Sequence, residues 1–412
     1  MLETVSYSSA DLIALEDRYG AHNYRPLPVV LSRGKGIFVW DVEGKKYYDF
    51  LSAYSAVNQG HCHPRIIEAL LEQADKITLT SRAFYNSALG MYEEYVANLF
   101  GYEKVLPMNT GVEAVETALK LCRKWGYKKR GIPLNKAKII FVHGNFHGRT
   151  LGVISASTDP LSSAEFGPYM PGYTIIPYND IQALEEALDD PLVSGYIVEP
   201  IQGEAGVIIP SSDYLAKAYE LCQRNEVLFI ADEIQTGIGR TGALICCDHF
   251  DVKPDILILG KALSGGVLPV SAVLANDEIM LQIQHGEHGS TFGGNPLACA
   301  VAVAALKVMQ DQSLISNALV QGERFRNRAN ELLVNNHLVK QVRGMGLLNA
   351  IVLDMPTESE IGWNICLNLM ENGLLAKPTH GNIIRFAPPL IINQDQMDEA
   401  CEIIINAFNK FD

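Results

Sequence analysis

The chain has 412 residues, of which 48% are hydrophobic and 19% are charged. A prior of roughly one domain per 150 residues predicts two to three domains, and the composition is typical of a globular protein. The formal net charge of -14 argues against a nucleic-acid or anionic-membrane surface, because both need a basic patch. A few local arginines can still bind an anionic small molecule inside an acidic protein.

The N-terminus and the cysteines bear on the cellular compartment. The opening MLETVSYSSADLIALEDRYG lacks the basic and apolar regions of a secretory signal and is too acidic for a transit peptide. The eight cysteines are scattered without the spacing of a zinc site, which predicts reduced thiols in a reducing compartment. No apolar run is long enough to cross a membrane. The sequence therefore predicts a cytoplasmic protein that binds neither membranes nor nucleic acid.

The N-terminal part is predicted to form a helix to about Tyr24, followed by an extended segment that contains prolines. The next stretch, GIFVWDVEGKKYYDF, alternates apolar and polar residues on both sides of Glu43 and Gly44. This alternation around a turn predicts a hairpin.

From about residue 88, short apolar runs alternate with segments of helical period. Continuous Val, Ile and Leu runs bounded by turn residues are typical of strands buried on both faces. The runs are KVLPMN, KIIFVHGN, YTIIPYN, GYIVEP, EVLFIAD, DILILGK and PVSAVLA. They predict an α/β fold with a mostly parallel sheet flanked by helices, followed by a smaller unit in which KQVRGMGLLNAIVL and NIIRFAPPL are strands. We expect an N-terminal segment 1–54, a large domain 55–300 and a small C-terminal domain 301–412.

Polar residues cluster just after the predicted strands, at the edge where open α/β sheets bind ligands. Lys261 closes the run DILILGK, and desolvation there would make its amine a good nucleophile toward an aldehyde. A lysine that only extends its head into solvent is the alternative. Asp232 ends EVLFIAD, where it either caps a helix or faces a ligand. Gln235 lies one turn further on, as a ligand contact or as an ordinary surface residue.

A second cluster follows the strand in PMNTGVEAVETA, where a turn leads into a long helix. Backbone N–H groups at the start of a helix bind anions such as phosphate, and glycine permits close approach. We therefore expect an anion site at Thr110, Gly111 and Val112, with an ordinary cap and turn as the alternative. The chain has neither G-x-G-x-x-G nor G-x-x-x-x-G-K-[ST], so the dinucleotide and P-loop fingerprints are absent.

The segment KIIFVHGNFHGRT supplies two further candidates. Phe146 can stack on an aromatic cofactor, and the guanidinium of Arg149 can bind a carboxylate through two hydrogen bonds. A core phenylalanine and a surface ion pair are the alternatives. The histidines of NQGHCHPRI and QHGEHGS lack the further ligands that a zinc site needs, so we expect no metal.

Together, Lys261, Asp232 and the turn at 109–112 resemble the class-III (ω-amino acid) group of fold type I aminotransferases, which depend on pyridoxal 5′-phosphate (PLP). The similarity covers nearly the whole chain, in the same order. It implies fold type I, with a large domain around a mostly parallel sheet, a smaller α+β C-terminal domain, and PLP as the cofactor. The segments that carry it are YGAHNYRPLPV, SAYSAVNQGHCHP, LTSRAFYN, PMNTGVEAVETA, GNFHGRTL, VEPIQGEAGV, FIADEIQTGIGRTG, LGKALSGG, GEHGSTFGGNP and NGLLAKPTHGNIIRFAPPL.

The resemblance implies roles around the ring of the cofactor. Lys261 resembles the lysine that carries PLP as a Schiff base and moves protons. Asp232 resembles the partner of the pyridine nitrogen, which must stay protonated for the ring to accept electrons. Phe146 resembles the residue that stacks on the ring, and Gln235 resembles the residue near the phenolate oxygen.

The resemblance also implies how the phosphate of the cofactor is bound. Gly111 and Val112 resemble the backbone cup of the family. Ser290 and Thr291, in GEHGSTFGG, resemble phosphate ligands that come from the neighbouring subunit. We therefore expect a homodimer with a shared active site.

For substrates, the resemblance implies transfer of the δ-amino group of L-ornithine to 2-oxoglutarate. Arg149 resembles the arginine that binds the α-carboxylate of the donor, and Tyr24 and Tyr54 resemble the tyrosines that shape the pocket, with Tyr24 near the α-amino group. Glu204 resembles a glutamate that neutralises Arg385 while ornithine is bound. Release of Arg385 would then let it bind the α-carboxylate of 2-oxoglutarate, so that one site accepts two differently charged substrates.

His147 departs from members of the group that have tryptophan after the stacking phenylalanine, and we expect it to affect packing beside the ring without removing a catalytic group. N-acetylornithine and 4-aminobutyrate stay alternative amino donors. A binding protein with the same fold but no activity is a further alternative, against which Lys261, Asp232 and Arg149 argue. A nucleotide-binding α/β protein lacks its phosphate-loop fingerprint.

Overall fold

The computed structural model describes residues 7–412, and the first part of the predicted N-terminal helix lies outside them. The helix α1 begins after Ser8, whose side chain and that of Asp11 form a capping box. It ends at Tyr19, earlier than the expected end near Tyr24. The chain becomes extended at Gly20, and glycine is a poor helix former.

The remaining elements agree in number and type with most of the predicted runs. The strands are β1 (Leu31–Lys35), β2 (Phe38–Asp41), β3 (Lys46–Asp49), β4 (Lys104–Met108), β5 (Lys138–Val142), β6 (Tyr173–Ile176), β7 (Val193–Val198), β8 (Leu228–Asp232), β9 (Ile256–Leu259), β10 (Ser271–Ala275), β11 (Val339–Met345), β12 (Leu348–Leu353), β13 (Leu374–Leu375), β14 (Lys377–Thr379) and β15 (Ile383–Phe386). The helical segments are α1 (Ser9–Tyr19), α2 (Ser52–Ser55), α3 (Pro64–Ala74), α4 (Leu89–Phe100), α5 (Gly111–Lys128), α6 (Leu151–Ile154), α7 (Pro160–Ser163), α8 (Ile181–Leu188), α9 (Tyr214–Arg224), α10 (Asp277–Met280), α11 (Pro296–Asp311), α12 (Leu314–Asn335), α13 (Ile361–Glu371) and α14 (Gln394–Asn409).

The central sheet has seven strands in the order β4-β10-β9-β8-β7-β5-β6. Its strands run parallel except for β10, which is antiparallel to both β4 and β9. Every residue of β7, β8, β9 and β10 is buried, because helices cover both faces. The predicted α/β fold with a mostly parallel sheet is confirmed.

Alternate residues of the central strands face two apolar cores, one on each side of the sheet. In β5, Ile140 and Val142 belong to the larger core, whereas Ile139 and Phe141 belong to the other. Burial of each such side chain contributes about 1.5–3 kcal/mol, so the sheet is a firm base for the loops at its edge.

The parallel strands place several loops at one edge of this sheet. The chain leaves the carboxyl ends of β4, β5, β7, β8 and β9 at Asn109, His143, Glu199, Glu233 and Gly260. In open α/β sheets this edge is the usual place for a ligand. The predicted polar residues therefore lie on neighbouring loops.

A four-stranded sheet joins β1, β2 and β3 to β13 from the C-terminal part of the chain. In the hairpin β2–β3, Phe38 pairs with Tyr48 and Trp40 with Lys46, which confirms the predicted hairpin. The single turn α2 then has φ values between 47° and 70° at all four residues, so it is left-handed. Non-glycine residues adopt this region at a cost of roughly 1–2 kcal/mol each.

The C-terminal part contains an antiparallel sheet in the order β11-β12-β15-β14. The segment predicted as one strand, KQVRGMGLLNAIVL, is instead a hairpin of β11 and β12. The chain reverses at Gly346, where φ is 53° and a Cβ atom would lie 2.3 Å from the carbonyl carbon of Thr241. The division of the chain after residues 54 and 300 stays a prediction.

Within residues 7–412, no single helix is both long and apolar enough to cross a membrane. The helix α11 and residues Leu314–Leu332 reach those limits only when taken together, across a bend of 61°.

Candidate active site

A cavity of about 250 Å³ opens at the carboxyl edge of the central sheet. Its walls come from the start of α5 and from loops after β5, β7, β8 and β9, so residues far apart in sequence meet there. The lining residues are Gly111, Val112, Phe146, His147, Gly148, Arg149, Glu199, Asp232, Ile234, Gln235 and Lys261.

Lys261 follows β9 and Gly260 and begins a short 3₁₀ helix, Lys261–Ser264. Its side chain is half-buried in the cavity wall. Burial lowers the pKa of the Lys261 amine and outweighs the carboxylates of Glu204 and Asp232, which raise it. A lowered pKa makes more of the neutral amine available as a nucleophile or a base.

Asp232 is the last residue of β8 and is 4% exposed. The Nδ1 atom of His147 donates to its Oδ2 at 2.7 Å, and the backbone N–H of Ile234 donates to its Oδ1 at 3.1 Å. Burial alone would lower the pKa of His147, but the hydrogen bond and charge of Asp232 raise that pKa above its ordinary value. The carboxylate is thus held in one orientation at the cavity wall.

Glu199 is a second buried carboxyl group in the cavity wall, at the end of β7. Its Oε1 accepts a hydrogen bond from the backbone N–H of Phe146 at 2.8 Å, which fixes the loop that carries Phe146 and His147. Burial raises the pKa of Glu199 to about 7, against the lowering effect of nearby His147.

Glu199 and the contact of His147 with Asp232 were not predicted from the sequence. Glu199 follows the buried run GYIVEP as Asp232 ends EVLFIAD, so the rule that selected Asp232 would also have selected Glu199. The His147 contact has no comparable signal, because it depends on how a loop folds over a neighbouring strand.

The predicted anion cup lies at the start of α5, which begins with a capping box. The Oγ1 atom of Thr110 accepts from the N–H of Glu113, and the Glu113 carboxylate accepts from the N–H of Thr110 at 2.7 Å. The first N–H groups of a helix, here those of Gly111 and Val112, have no partner within the helix. The Ser271 hydroxyl donates to the Thr110 carbonyl at 2.7 Å and ties the cup to β10.

Arg149 lies exposed at the wall of the cavity, with its guanidinium carbon 5.4 Å from the ring centroid of Phe146. Among residues 7–412 it has no carboxylate partner within salt-bridge distance. A guanidinium in this state can bind the carboxylate of a ligand through two parallel hydrogen bonds.

Glu204 and Arg385 form an ion pair beside the cavity, with Oε1–Nη1 and Oε2–Nη2 distances of 2.7 and 3.3 Å. Gln235, which lines the cavity, donates to the same Oε1 at 3.1 Å. The Tyr54 ring centroid lies 5.0 Å from the guanidinium carbon. Burial alone would raise the pKa of Glu204, but Arg385 lowers it to about 2, so the Glu204 carboxyl group is ionised at neutral pH.

Seven of the predicted residues are not among those that line this cavity. Thr110 precedes its wall at the start of α5, and Tyr54, Glu204 and Arg385 lie beside it, whereas Tyr24, Ser290 and Thr291 have other surroundings. Tyr24 is 75% exposed and lies close enough to Tyr54 to affect its pKa. Ser290 accepts a hydrogen bond from Asn109 of its own chain at 2.8 Å, and Thr291 is exposed. A role for Ser290 and Thr291 in the site of another subunit stays a prediction. The part of the chain that the structure describes holds no group of three or more His, Cys, Asp or Glu side chains placed to bind a metal ion.

The fold and the cavity define a class of enzyme, and the sequence family agrees. Residues 19–408 match the family Aminotransferase class-III. The chain belongs to that family, and PLP is its cofactor.

Similar proteins narrow the class. The curated mitochondrial ornithine aminotransferase of Drosophila melanogaster is 61% identical over 398 residues, which cover 96% of this chain and 91% of the relative. The solved ornithine aminotransferase of Toxoplasma gondii is 48% identical with a TM-score of 0.96, covering 98% of this chain and 94% of its own. The solved acetylornithine aminotransferase of Elizabethkingia anophelis is 57% identical with a TM-score of 0.91, covering 98% and 100%.

The expectation of a cytoplasmic protein is wrong by comparison with these relatives. The Drosophila relative, like other curated relatives from animals, is named as mitochondrial. The expectation rested on the composition of the N-terminus and on dispersed cysteines. Neither property distinguishes the cytosol from other compartments that keep thiols reduced.

The donor set of the cavity fits PLP. An amine for the aldehyde, a carboxylate for the ring nitrogen and a helix start for the phosphate face one space. A Cβ atom on Gly111 would lie 3.0 Å from Cδ1 of Ile234, so a larger residue would crowd the gap between the anion cup and the loop that follows Asp232. The chemistry and the space therefore agree with the family.

Proposed function

We propose that this chain transfers the δ-amino group of L-ornithine to 2-oxoglutarate. The products are glutamate and glutamate 5-semialdehyde, which cyclises to pyrroline-5-carboxylate, a step in arginine and proline metabolism. The observation that carries this proposal is the Glu204–Arg385 ion pair, which lies beside a cavity lined by Lys261 and by Arg149, a guanidinium with no carboxylate partner among residues 7–412. Those groups match a site that must accept two substrates of different charge.

The proposed contacts with PLP follow from where each group lies. With PLP bound, Lys261 would hold the aldehyde carbon, and Asp232, oriented by His147, would keep the ring nitrogen protonated. Phe146 would stack on the ring, and Gln235 would lie toward the phenolate oxygen. The backbone amide groups of Gly111 and Val112 would bind the phosphate, next to Thr110, whose own N–H donates to the Glu113 carboxylate. When bound, PLP supplies an electron sink for the carbanion formed at the reacting carbon.

Lys261 is the proposed proton carrier of the reaction. With PLP and the donor bound, the Lys261 amine would take a proton from the δ-carbon of the donor and would deliver it to the aldehyde carbon of the cofactor. Burial, which lowers the pKa of Lys261, favours the neutral form that the first of these steps requires.

The proposed substrate contacts separate the two half-reactions. With ornithine, Arg149 binds the α-carboxylate, Tyr24 and Tyr54 border the α-amino group, and Glu204 keeps Arg385 neutralised. With 2-oxoglutarate, Arg385 leaves Glu204 and binds the α-carboxylate, while Arg149 binds the distal one. The same cavity then recognises a diamino acid in one half-reaction and a dicarboxylate in the other.

A change of Glu204 tests this division directly. In the Glu204→Gln variant, Arg385 loses its partner charge but keeps a hydrogen-bonding neighbour of the same shape. We expect the ratio of kcat/KM for L-glutamate to that for L-ornithine to rise about tenfold, because a hydrogen bond to a charged group contributes about 1.5–3 kcal/mol. The ratio is measured from the rate at which each amino acid bleaches the cofactor band.

The matched control for this prediction is Asp398→Asn. It breaks the two-point ion pair of Arg324 with Asp398, which lies in the C-terminal part of the chain. We expect no change in the ratio for the control. An unchanged ratio in Glu204→Gln would contradict the proposed role of the pair.

We also propose that the chain works as a homodimer in which Ser290 and Thr291 reach the phosphate in the partner's cavity. The exposed large apolar residues Phe84, Tyr85 and Phe292 support this, since isolated monomers rarely expose such a group together. Gly294, two residues after Phe292, packs against Leu89, so these segments are neighbours. Burial of this surface in a dimer would remove it from water.

The proposed function is tested by the visible absorbance of the purified protein. L-Ornithine alone is expected to bleach the yellow band, and 2-oxoglutarate is expected to restore it. N-acetylornithine is the second candidate donor, favoured by the similarity to the Elizabethkingia enzyme. If N-acetylornithine or 4-aminobutyrate bleaches the band and ornithine does not, the donor assignment is wrong but the class stands.

A further inference from the structure

The left-handed turn α2 carries a residue of the proposed substrate pocket. Its four residues, Ser52–Ser55, have φ values of 48°, 47°, 60° and 70°, and none of them is glycine. Consecutive non-glycine residues in this region are sterically disfavoured and persist only where the surroundings hold them. Tyr54 lies in this turn, half-buried, with its ring centroid 5.0 Å from the guanidinium carbon of Arg385.

One buried carboxylate holds the entry to this turn. Asp49, the last residue of β3, is 7% exposed. Its Oδ1 accepts hydrogen bonds from the N–H groups of Leu51 and Ser52 at 2.9 and 2.8 Å. Both bonds fix the backbone immediately before the left-handed residues.

The other oxygen of this carboxylate is bound by a histidine. The Nε2 atom of His61 lies 2.7 Å from Oδ2 of Asp49. The backbone N–H and C=O of His61 both pair with Gly36, in the turn between β1 and β2, at 2.8 and 3.0 Å. A Cβ atom on Gly34 would lie 2.9 Å from the His61 ring, so the histidine packs directly against the hairpin of β1 and β2.

These contacts connect the hairpin of β1 and β2 to the proposed substrate pocket. The hairpin fixes His61, His61 and Asp49 hold each other, and Asp49 holds the start of the turn that presents Tyr54 to Arg385. A further charged group near Asp49 is the buried Arg240, which donates to Asn58 and to two backbone carbonyls.

We propose that Asp49 and His61 are positioning residues that hold Tyr54 against Arg385 and thereby set the affinity of the site for the dicarboxylate substrate. The inference rests on the proposed function, in which Arg385 binds the α-carboxylate of 2-oxoglutarate. A guanidinium stacked on an aromatic face is restrained while it exchanges one carboxylate partner for another. Without the contact between Asp49 and His61, the strained turn relaxes and Tyr54 no longer restrains Arg385.

The test compares two buried aspartates of the same sheet. Asp41 is also 7% exposed and also accepts a backbone N–H, from Lys45, and a side-chain donor, Tyr47, but it lies away from the turn. We expect Asp49→Ala to lower kcat/KM for 2-oxoglutarate about tenfold, mainly through KM, because small misplacements of binding groups have effects of this size. Asp41→Ala is expected to stay within about twofold of the parent even where it lowers Tm similarly.

A double-mutant cycle with Tyr54→Ala separates positioning from general destabilisation. If Asp49 acts through Tyr54, Asp49→Ala has little further effect on kcat/KM in the Tyr54→Ala background. Full additivity, or an equal effect of Asp41→Ala, would overturn the inference. If Asp49→Ala does not fold, His61→Ala replaces it in the cycle, with His61→Gln as the variant that keeps a donor and restores the parent value.

The two levels of the proposal fail in different ways. If the parent protein does not react with ornithine but bleaches with another donor, the donor assignment fails, and the cycle is measured with that donor and 2-oxoglutarate. If ornithine reacts and the cycle is additive, the proposed function stands and the positioning role of Asp49 and His61 is wrong.

Discussion

The Lys261→Ala variant is expected to lose the ornithine reaction by about 10³-fold or more. General acid–base catalysis by one side chain contributes about 10²- to 10⁴-fold, and Lys261 is also the proposed covalent holder of the cofactor. Alanine removes the amine from the cavity without adding bulk, so PLP still has its anion cup and Asp232. The rate is measured as pyrroline-5-carboxylate formed per enzyme.

A second readout distinguishes the covalent role from a structural one. Borohydride reduction followed by peptide mass spectrometry is expected to find the cofactor on the peptide with Lys261 in the parent and on no peptide in the variant. Lys253→Ala is the control, since Lys253 is an exposed lysine just before β9 that donates to the Gly101 carbonyl. Cofactor mass on another lysine of the parent would disprove the assignment.

The second large effect is expected for Asp232→Asn. Asparagine keeps the shape of the side chain and can still accept from the N–H of Ile234, but it has no charge to hold a proton on the ring nitrogen. We expect kcat to fall by about 10²- to 10³-fold, as for removal of one preorganised electrostatic group. The loss should appear in both half-reactions, because both need the ring as an electron sink.

The control for this prediction is a partly buried carboxylate elsewhere on the same sheet. Asp255 accepts from the backbone N–H of Phe229 at 2.8 Å and lies before β9, at the edge away from the cavity. Asp255→Asn is expected to lower Tm but to change kcat less than about threefold, since Asp255 does not line the cavity and its substitution affects stability. A kcat for Asp232→Asn above a tenth of the parent value would show that the ring does not depend on this charge.

The sequence predicted those parts of the site that follow directly from strand ends. Lys261, Asp232 and the anion cup each come after a buried apolar run, and parallel strands bring such positions to one edge. Recognition of the family added Glu204 and Arg385, which lie far apart in the chain and which spacing alone does not connect. The structure places this pair in contact.

Other features depend on packing between segments and had no local signal. The contact of His147 with Asp232 requires a loop from β5 to fold across to β8, and the sequence predicted only a packing effect of His147 beside the ring. The left-handed turn 52–55 contains none of the glycines that usually mark such a backbone. We attribute its conformation to Asp49 and His61, which lie outside the turn in the sequence.

The single antiparallel strand of the central sheet fixes the spacing between the two ends of the cofactor site. β10 pairs Ser271 with Met108 on one side and Ala272 with Leu259 on the other, so one strand connects the strand before the anion cup to the strand before Lys261. A register slip of one residue would displace the cup relative to the lysine by about 3.4 Å and turn every side chain of β10 to the opposite face. The distance between the proposed phosphate cup and Lys261 thus depends on a hydrogen-bond register, and we expect an insertion or deletion in β10 to weaken PLP binding even with every contacting residue intact.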